Sequence, residues 1–368
     1  MRRVAVGAMV VLASLVATPG TSWAAKPAWK LVTTPTVSGS GAQLSSVSCG
    51  SQSACVAVGD FKDAAGNDHA LAESWNGRAW VMQPVPEPPG AVGSWLYGVS
   101  CPAANPCIAV GYSSTTTANS TTTVDSTLAE SWDGTAWKIL TTPNPSSASF
   151  FNSVSCVSAS ACVAVGGYQS STTNPSTLAE SWDGKTWTLE SPQDGHGFAN
   201  FLDGVSCVSP SLCTGVGYSG GATGLSSLAE LRVALTWTTE DSPSPNQDSS
   251  LNSVSCPTAT SCTAVGGLIE SWNGAQWSVQ PTAVSGKLWG VTCASASSCT
   301  AVGSADTSGG STLAEVWNGS SWTVQPTPNP RETYPTLASV SCPSGSCMAV
   351  GSYLDSSGIY QTLAELRS

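Results

Sequence analysis

Short Val-rich runs bounded by Gly, Pro, Ser, Asn or Asp recur along this chain at intervals of roughly 8–12 residues, the rhythm of short strands in an all-β fold. The runs repeat in a fixed order. A strand ending Val-Ser-Cys, as in Leu251 to Cys256, precedes a turn rich in Ser, Ala and Pro. Cys-x-Ala-Val-Gly follows, as in Cys162 to Gly166, with Gly215 replacing Ala in one copy. After a loop of variable length come Leu-Ala-Glu-Ser-Trp, then Asp-Gly or Asn-Gly, a second Trp and a Pro-rich exit; Leu178 to Trp187 shows the segment before that exit. There are seven copies, with 37 to 55 residues between successive first cysteines.

Each copy predicts four short strands. Asn76-Gly77, Asp133-Gly134, Asp183-Gly184, Asn273-Gly274 and Asn318-Gly319 predict tight hairpins, because Asn, Asp and Gly accept the positive φ of such turns. Paired tryptophans such as Trp132 and Trp137 flank them. Four-stranded units repeated radially make a β-propeller. The expected fold is therefore all-β, a seven-bladed β-propeller with four strands per blade. The last copy stops at Leu363-Ala364-Glu365-Leu366, while Trp29 to Pro35 matches Trp137 to Pro143 of a complete copy. An N-terminal strand is thus expected to close the last blade, leaving no open edge. Copy four lacks the Asp-Gly turn between Leu228 and Trp237, and copy five has almost no loop between Gly266 and Leu268.

The 14 cysteines fall in local pairs: Cys49 with Cys55, Cys101 with Cys107, Cys156 with Cys162, Cys207 with Cys213, Cys256 with Cys262, Cys293 with Cys299, and Cys342 with Cys347. Five residues separate the partners in six pairs and four in the last, which predicts seven disulfides, each within its blade. Zinc is disfavoured, since only His69 and His196 could complete a ligand set, and the reading includes no metal and no cofactor.

Charge narrows the partners. Twelve Lys and Arg stand against 23 Asp and Glu, a formal charge of −11, without the basic clusters that nucleic acid or an anionic lipid surface requires. Residues 1–24 read as an export signal: Arg2 and Arg3, an apolar run from Val4 to Val16 too short for a comfortable span, and small residues Ser22 and Ala24 before the cut. Residues 25–368 are the expected propeller, secreted to the extracellular space or cell envelope, a monomer with no membrane span.

Residues repeated in every copy are first explained by packing. Glu73, Glu130, Glu180, Glu230, Glu270, Glu315 and Glu365 lie mid-strand, so they are expected to accept hydrogen bonds from backbone, Ser or indole groups rather than to hold calcium. Residues that vary are better binding candidates. The position after each opening Leu or Phe is Ser45, Tyr97, Asn152, Asp203, Asn252, Trp289 or Ala338, near the expected mouth of the central channel. Trp95, Phe150, Phe151, Phe198, Phe201 and Tyr334 lie on inter-blade segments of the same face, and Tyr112, Tyr168, Tyr218 and Tyr353 follow the Ala-Val-Gly strands towards it. Aromatic faces with amides and carboxylates suit a sugar or peptide, and the candidates are Tyr97, Asn152, Asp203, Asn252, Trp289, Phe201 and Trp95.

The run Leu-x-x-Val-Ser-Cys, Cys-x-Ala-Val-Gly and Trp-Asp-Gly-x-x-Trp resembles the repeat of photosystem II stability/assembly factor propellers. Ser181 to Trp187 is also similar to the Asp box of bacterial neuraminidase repeats, one residue shorter between Asp and Gly, and the hairpin resembles that of seven-bladed bacterial lectins. The resemblance implies a propeller over essentially the whole mature chain. Neuraminidase activity would need three arginines on one substrate carboxylate, whereas Arg78 and Arg232 fall at hairpins of the opposite face, Arg367 at the chain end, and only Arg331 on an inter-blade loop.

The expected function is a non-catalytic binding or scaffold propeller, lectin-like in one form, holding a glycan or an extracellular protein on its aromatic face. The alternatives are a glycosidase or lyase drawing on Asp194, His196, Asp203, Asp248 or Glu332, and a structural envelope protein with Ser/Thr-rich loops such as Ser113 to Thr127.

Overall fold

The computed structural model describes residues 28–35, 37, 41–116, 122–169, 174–222, 224–245, 247–330 and 333–368; the expected leader (1–24), Arg331 and Glu332 lie outside them. Among the described residues twenty-eight strands pair in antiparallel four-stranded units, the first two joined by a parallel bridge between Asp68 and Gly93, and the count fits seven blades. In chain order the blades span 41–83, 91–140, 149–190, 199–240, 251–280, 286–325 and 333–367, the last completed by Trp29–Leu31. Trp29 pairs with Arg367, and Leu31 with Glu365, so the N-terminal strand does close the final blade.

The repeated motifs fall in one cross-strand row per blade. In blade one Cys49 faces Cys55, Cys55 faces Trp75, and Trp75 faces Trp80 across four adjacent strands. All seven expected disulfides are present, and the paired indoles stand 5.5–5.8 Å apart. The second cysteine of each pair is buried, and Cys107, Cys213, Cys299 and Cys347 are almost wholly shut off from solvent. They pack into the hydrophobic clusters between blades, Cys213 with Val205 and Trp237, Cys299 with Val291 and Trp322, and Cys347 with Val340 and Trp29. These sulfurs are therefore core as well as cross-link, and a ligand cannot reach them.

Arginine takes the first Trp position twice. Arg367 lies over Trp29 at 5.6 Å. Arg232, beside the hairpin of blade four, is buried: its guanidinium donates to both oxygens of Glu190 in the preceding blade at 2.6 and 2.7 Å, and Trp237 Nε1 donates to Glu190 Oε2 at 2.7 Å. A Cβ on Gly215 would lie 2.9 Å from the Trp237 ring, which explains the single Gly in the Ala position.

The serine of Val-Ser-Cys joins blade to blade. Ser48, Ser100, Ser155, Ser206 and Ser255 Oγ each accept the N–H of the next blade's first cysteine at 2.9–3.0 Å. Ser341 accepts that of Cys49 at 3.1 Å, so the ring closes from last blade to first. Turns follow the expected chemistry: Asp183 Oδ1 accepts the N–H groups of Lys185 and Thr186, and Gly184 sits at φ +94°. Blade four keeps its hairpin without Asp-Gly, Ala234 taking the left-handed position at φ +59°. The segment Ser113 to Thr127, expected as a loop, is mostly strand: Cys107–Thr116 and Thr123–Trp132 pair along their length.

Candidate channel-mouth site

The inner strand of every blade carries a β-bulge, and the residue it lifts out of the ladder is the variable one. In blade one Leu44 pairs with Gly59 and Ser46 with Val58, leaving Ser45 without a partner. The same skip isolates Tyr97, Asn152, Asp203, Asn252, Trp289 and Ala338. A bulge re-aims a side chain. Here seven of them converge on one cavity of about 450 Å³, lined by all seven variable residues. The glycine of Ala-Val-Gly permits this. A Cβ on Gly217 would stand 2.0 Å from the carbonyl oxygen of Phe201, just before the bulge, and Gly111 and Gly303 meet the same obstacle at 1.9 and 2.0 Å.

The lining is uneven. Asn152, Asp203 and Asn252 occupy three consecutive blades, Tyr97 and Trp289 flank them, and Ser45 and Ala338 leave the remaining sector open. Asn152 Nδ2 donates to Asp203 Oδ1 at 2.8 Å and to the Leu202 carbonyl at 3.2 Å, while Asn252 Nδ2 donates to the Leu288 carbonyl at 2.9 Å. Burial pushes the Asp203 carboxyl up to about 7, against the Asn152 hydrogen bond and the nearby Lys287, which pull it down. Burial also raises the Tyr97 hydroxyl, which is hydrogen-bonded to that of Tyr112. Lys287 Nζ lies 4.8 Å from the Trp289 ring centre and 3.9 Å from Asp248 Oδ2.

Trp95 and Phe201, also candidates, do not line the cavity. They belong to an aromatic arc across blades two to four: Trp95 stacks on Tyr112 at 4.6 Å, Tyr112 meets Tyr97 at 5.8 Å and Phe150 at 6.4 Å, and Phe201 meets Phe150 at 5.7 Å and Tyr218 at 5.3 Å. Phe151 is fully buried and belongs to the core, whereas Phe198 and Tyr334 are exposed. The face is notched at blade five, whose second and third strands, Ser261–Gly266 and Ile269–Trp272, are short.

The other acidic candidates lie apart. Asp194 shares a groove of about 510 Å³ with His196, Glu240 and Asp241. Its Oδ1 accepts the Thr177 N–H at 2.8 Å, the same strand-capping bond that Asn144 gives Thr127 and Asn329 gives Thr312, so the fold accounts for it. Asp248 accepts from Ser250 Oγ. His69 stands between Asp63 and Glu87, 3.3 Å from each. Among the described residues no group of three or more His, Cys, Asp or Glu could hold a metal, and Arg78, Arg232 and Arg367 do not converge.

The seven repeated glutamates are fully buried, between each third strand and the preceding blade's exit segment. Their hydrogen bonding follows one exit position, six residues past the second Trp. Gln193 and Ala283 stand there in blades three and five, and their N–H groups donate to Glu230 at 3.0 Å and Glu315 at 3.3 Å. Elsewhere that position is Pro35, Pro86, Pro143, Pro243 or Pro328, which has no N–H to give. Ser242 Oγ serves Glu270 instead, whereas both oxygens of Glu73, Glu130 and Glu180 lack a protein donor, contrary to expectation. Burial pushes these three carboxyls up to about 8, so they are neutral at pH 7.

No family model matches the sequence, and no curated protein matches it. Solved structures do. The WD40 propeller domain of Doa1 superposes with a TM-score of 0.61 at 12% identity, covering 93% of this chain and 97% of that one. YCF48 from Cyanidioschyzon merolae gives 0.53 at 11%, covering 92% and 98%. Trypanosoma rangeli sialidase gives 0.52 at 11%, covering 93% of this chain but only 59% of the sialidase. Likeness at such identities is a likeness of fold, and the fold is a β-propeller.

Proposed function

We propose that the chain is a secreted, non-catalytic propeller of seven blades that binds its ligand at the channel mouth, lectin-like in its use of aromatic and amide groups. One observation carries this reading: seven near-identical bulges present six kinds of side chain to one cavity, so the backbone repeats while the chemistry does not. Local disulfides suit an oxidising destination. Turnover of a glycosidic bond is disfavoured because the cavity lining contains a single carboxyl group, Asp203, where two are needed.

A glycan array probed with the oxidised protein and with Tyr97→Ala and Trp289→Ala tests the proposal. Binding that both substitutions weaken at least tenfold supports the channel mouth. Binding indifferent to both places the site elsewhere, and no binding at all removes the lectin form.

A further inference from the structure

The electrostatics of the mouth carry the reading one step further. Asp203 is the one carboxyl group among the described residues that line the cavity. The nearby ammonium groups are already engaged: Lys62 Nζ with Asp68 at 2.5 Å, and Lys287 Nζ with Asp248 and the Trp289 ring. Among the described residues no Lys or Arg lines the cavity, so once ionised Asp203 is its one formal charge, and a low-dielectric cleft focuses the field of that charge on an approaching cation. Within it Asp203 Oδ1 is held by Asn152, and the amides of Asn152 and Asn252 sit on either side to meet hydroxyls. Lys287 shows that the Trp289 ring accepts an ammonium on its face.

Resting on the channel-mouth reading, we propose that the ligand is a hydroxylated ring bearing a protonated amine, an amino sugar, with its ammonium between Asp203 and Trp289 and its hydroxyls on Asn152 and Asn252. The ring reaches the cavity over the low rim of blade five. Neutral sugars share the hydroxyl contacts but leave Asp203 without a counter-charge, and an N-acetyl group removes the charge while adding bulk.

Calorimetric titration of the oxidised protein at pH 7.5, above the value of about 7 to which burial pushes Asp203, with glucosamine, glucose and N-acetylglucosamine tests this. Glucosamine is expected to bind at least tenfold more tightly than the other two. Asp203→Asn, which is isosteric and can still bond Asn152, is expected to erase that preference without moving the melting temperature. Trp289→Ala weakens glucosamine but keeps part of the preference. Equal affinity for all three sugars, weakened by Trp289→Ala, overturns the amine while the channel mouth stands. A glucosamine preference that survives Asp203→Asn overturns the proposed placement. No binding of any of the three overturns the amino sugar, and the array then decides the channel mouth separately.

Discussion

At the scale of single residues, the repeated carboxyls and the buried Glu190–Arg232 ion pair respond to pH in opposite directions. Glu180 is pushed up to about 8 by burial, so between about pH 4.5 and 8 the unfolded chain has released a proton that the folded chain keeps. Stability from this group is full below about 4.5 and is lost as pH rises towards 8, at up to about 1.4 kcal/mol per pH unit. Glu180→Gln is therefore expected to raise the melting temperature at pH 7.5 and to leave it nearly unchanged at pH 4.5; an equal shift at both values would mean that the carboxyl is already ionised in the fold. Glu190 runs the other way. Its carboxyl takes charged hydrogen bonds from Arg232 and one from Trp237, which hold it below the usual range despite burial, so its contribution is present above about 4.5 and lost on acidification through its lowered value. The sequence shows the glutamates but not which of them lack a donor, because that depends on one proline in the neighbouring blade.

Among the elements, the inner strand joins architecture to binding. Leu202 and Val205 are both buried although three positions apart, whereas in a regular strand residues at that spacing point to opposite faces. The bulge at Asp203 supplies the missing step. That odd spacing, repeated as Leu-x-x-Val with Ala-Val-Gly opposite, was the available signal for the bulges, and strand periodicity alone passes over it. The disulfides and the Asp-Gly hairpins were legible because both are set by near neighbours in sequence. The Glu190–Arg232 pair was not, since its partners are 42 residues apart. Gly217→Ala tests the link: its Cβ would meet the Phe201 carbonyl oxygen at 2.0 Å, so the bulge must shift. The expected outcome is a loss of about 1–3 kcal/mol in stability, with ligand affinity at Asp203 falling even in protein that remains folded. Undiminished affinity in a destabilised variant would separate the bulge from the site.

For the whole molecule, closure depends on three residues of the N-terminal strand, Trp29–Leu31, and on the serine ring between blades. Removing residues up to Leu31 exposes the edge of the Tyr360–Arg367 strand and uncovers the side against which Trp29 packs. The truncated protein is expected to melt lower and to associate on concentration, read by calorimetry and sedimentation; unchanged behaviour by both measures would show that the other strands hold the last blade unaided. The propeller and this closure were legible in the motif order. The identity of the channel lining was legible as well, but its common orientation required the backbone.

The serine ring has one exception. Thr292 stands where the other blades carry Ser, and among the described residues its side chain receives no bond from Cys342, while the cysteine loop of that next blade is a residue shorter and holds a turn at Pro343–Gly345. A closed band with one weaker clasp opens there first. Amide protons of the last blade should accordingly exchange with solvent ahead of those of the others, giving this nearly symmetric molecule a defined starting point for its own dismantling.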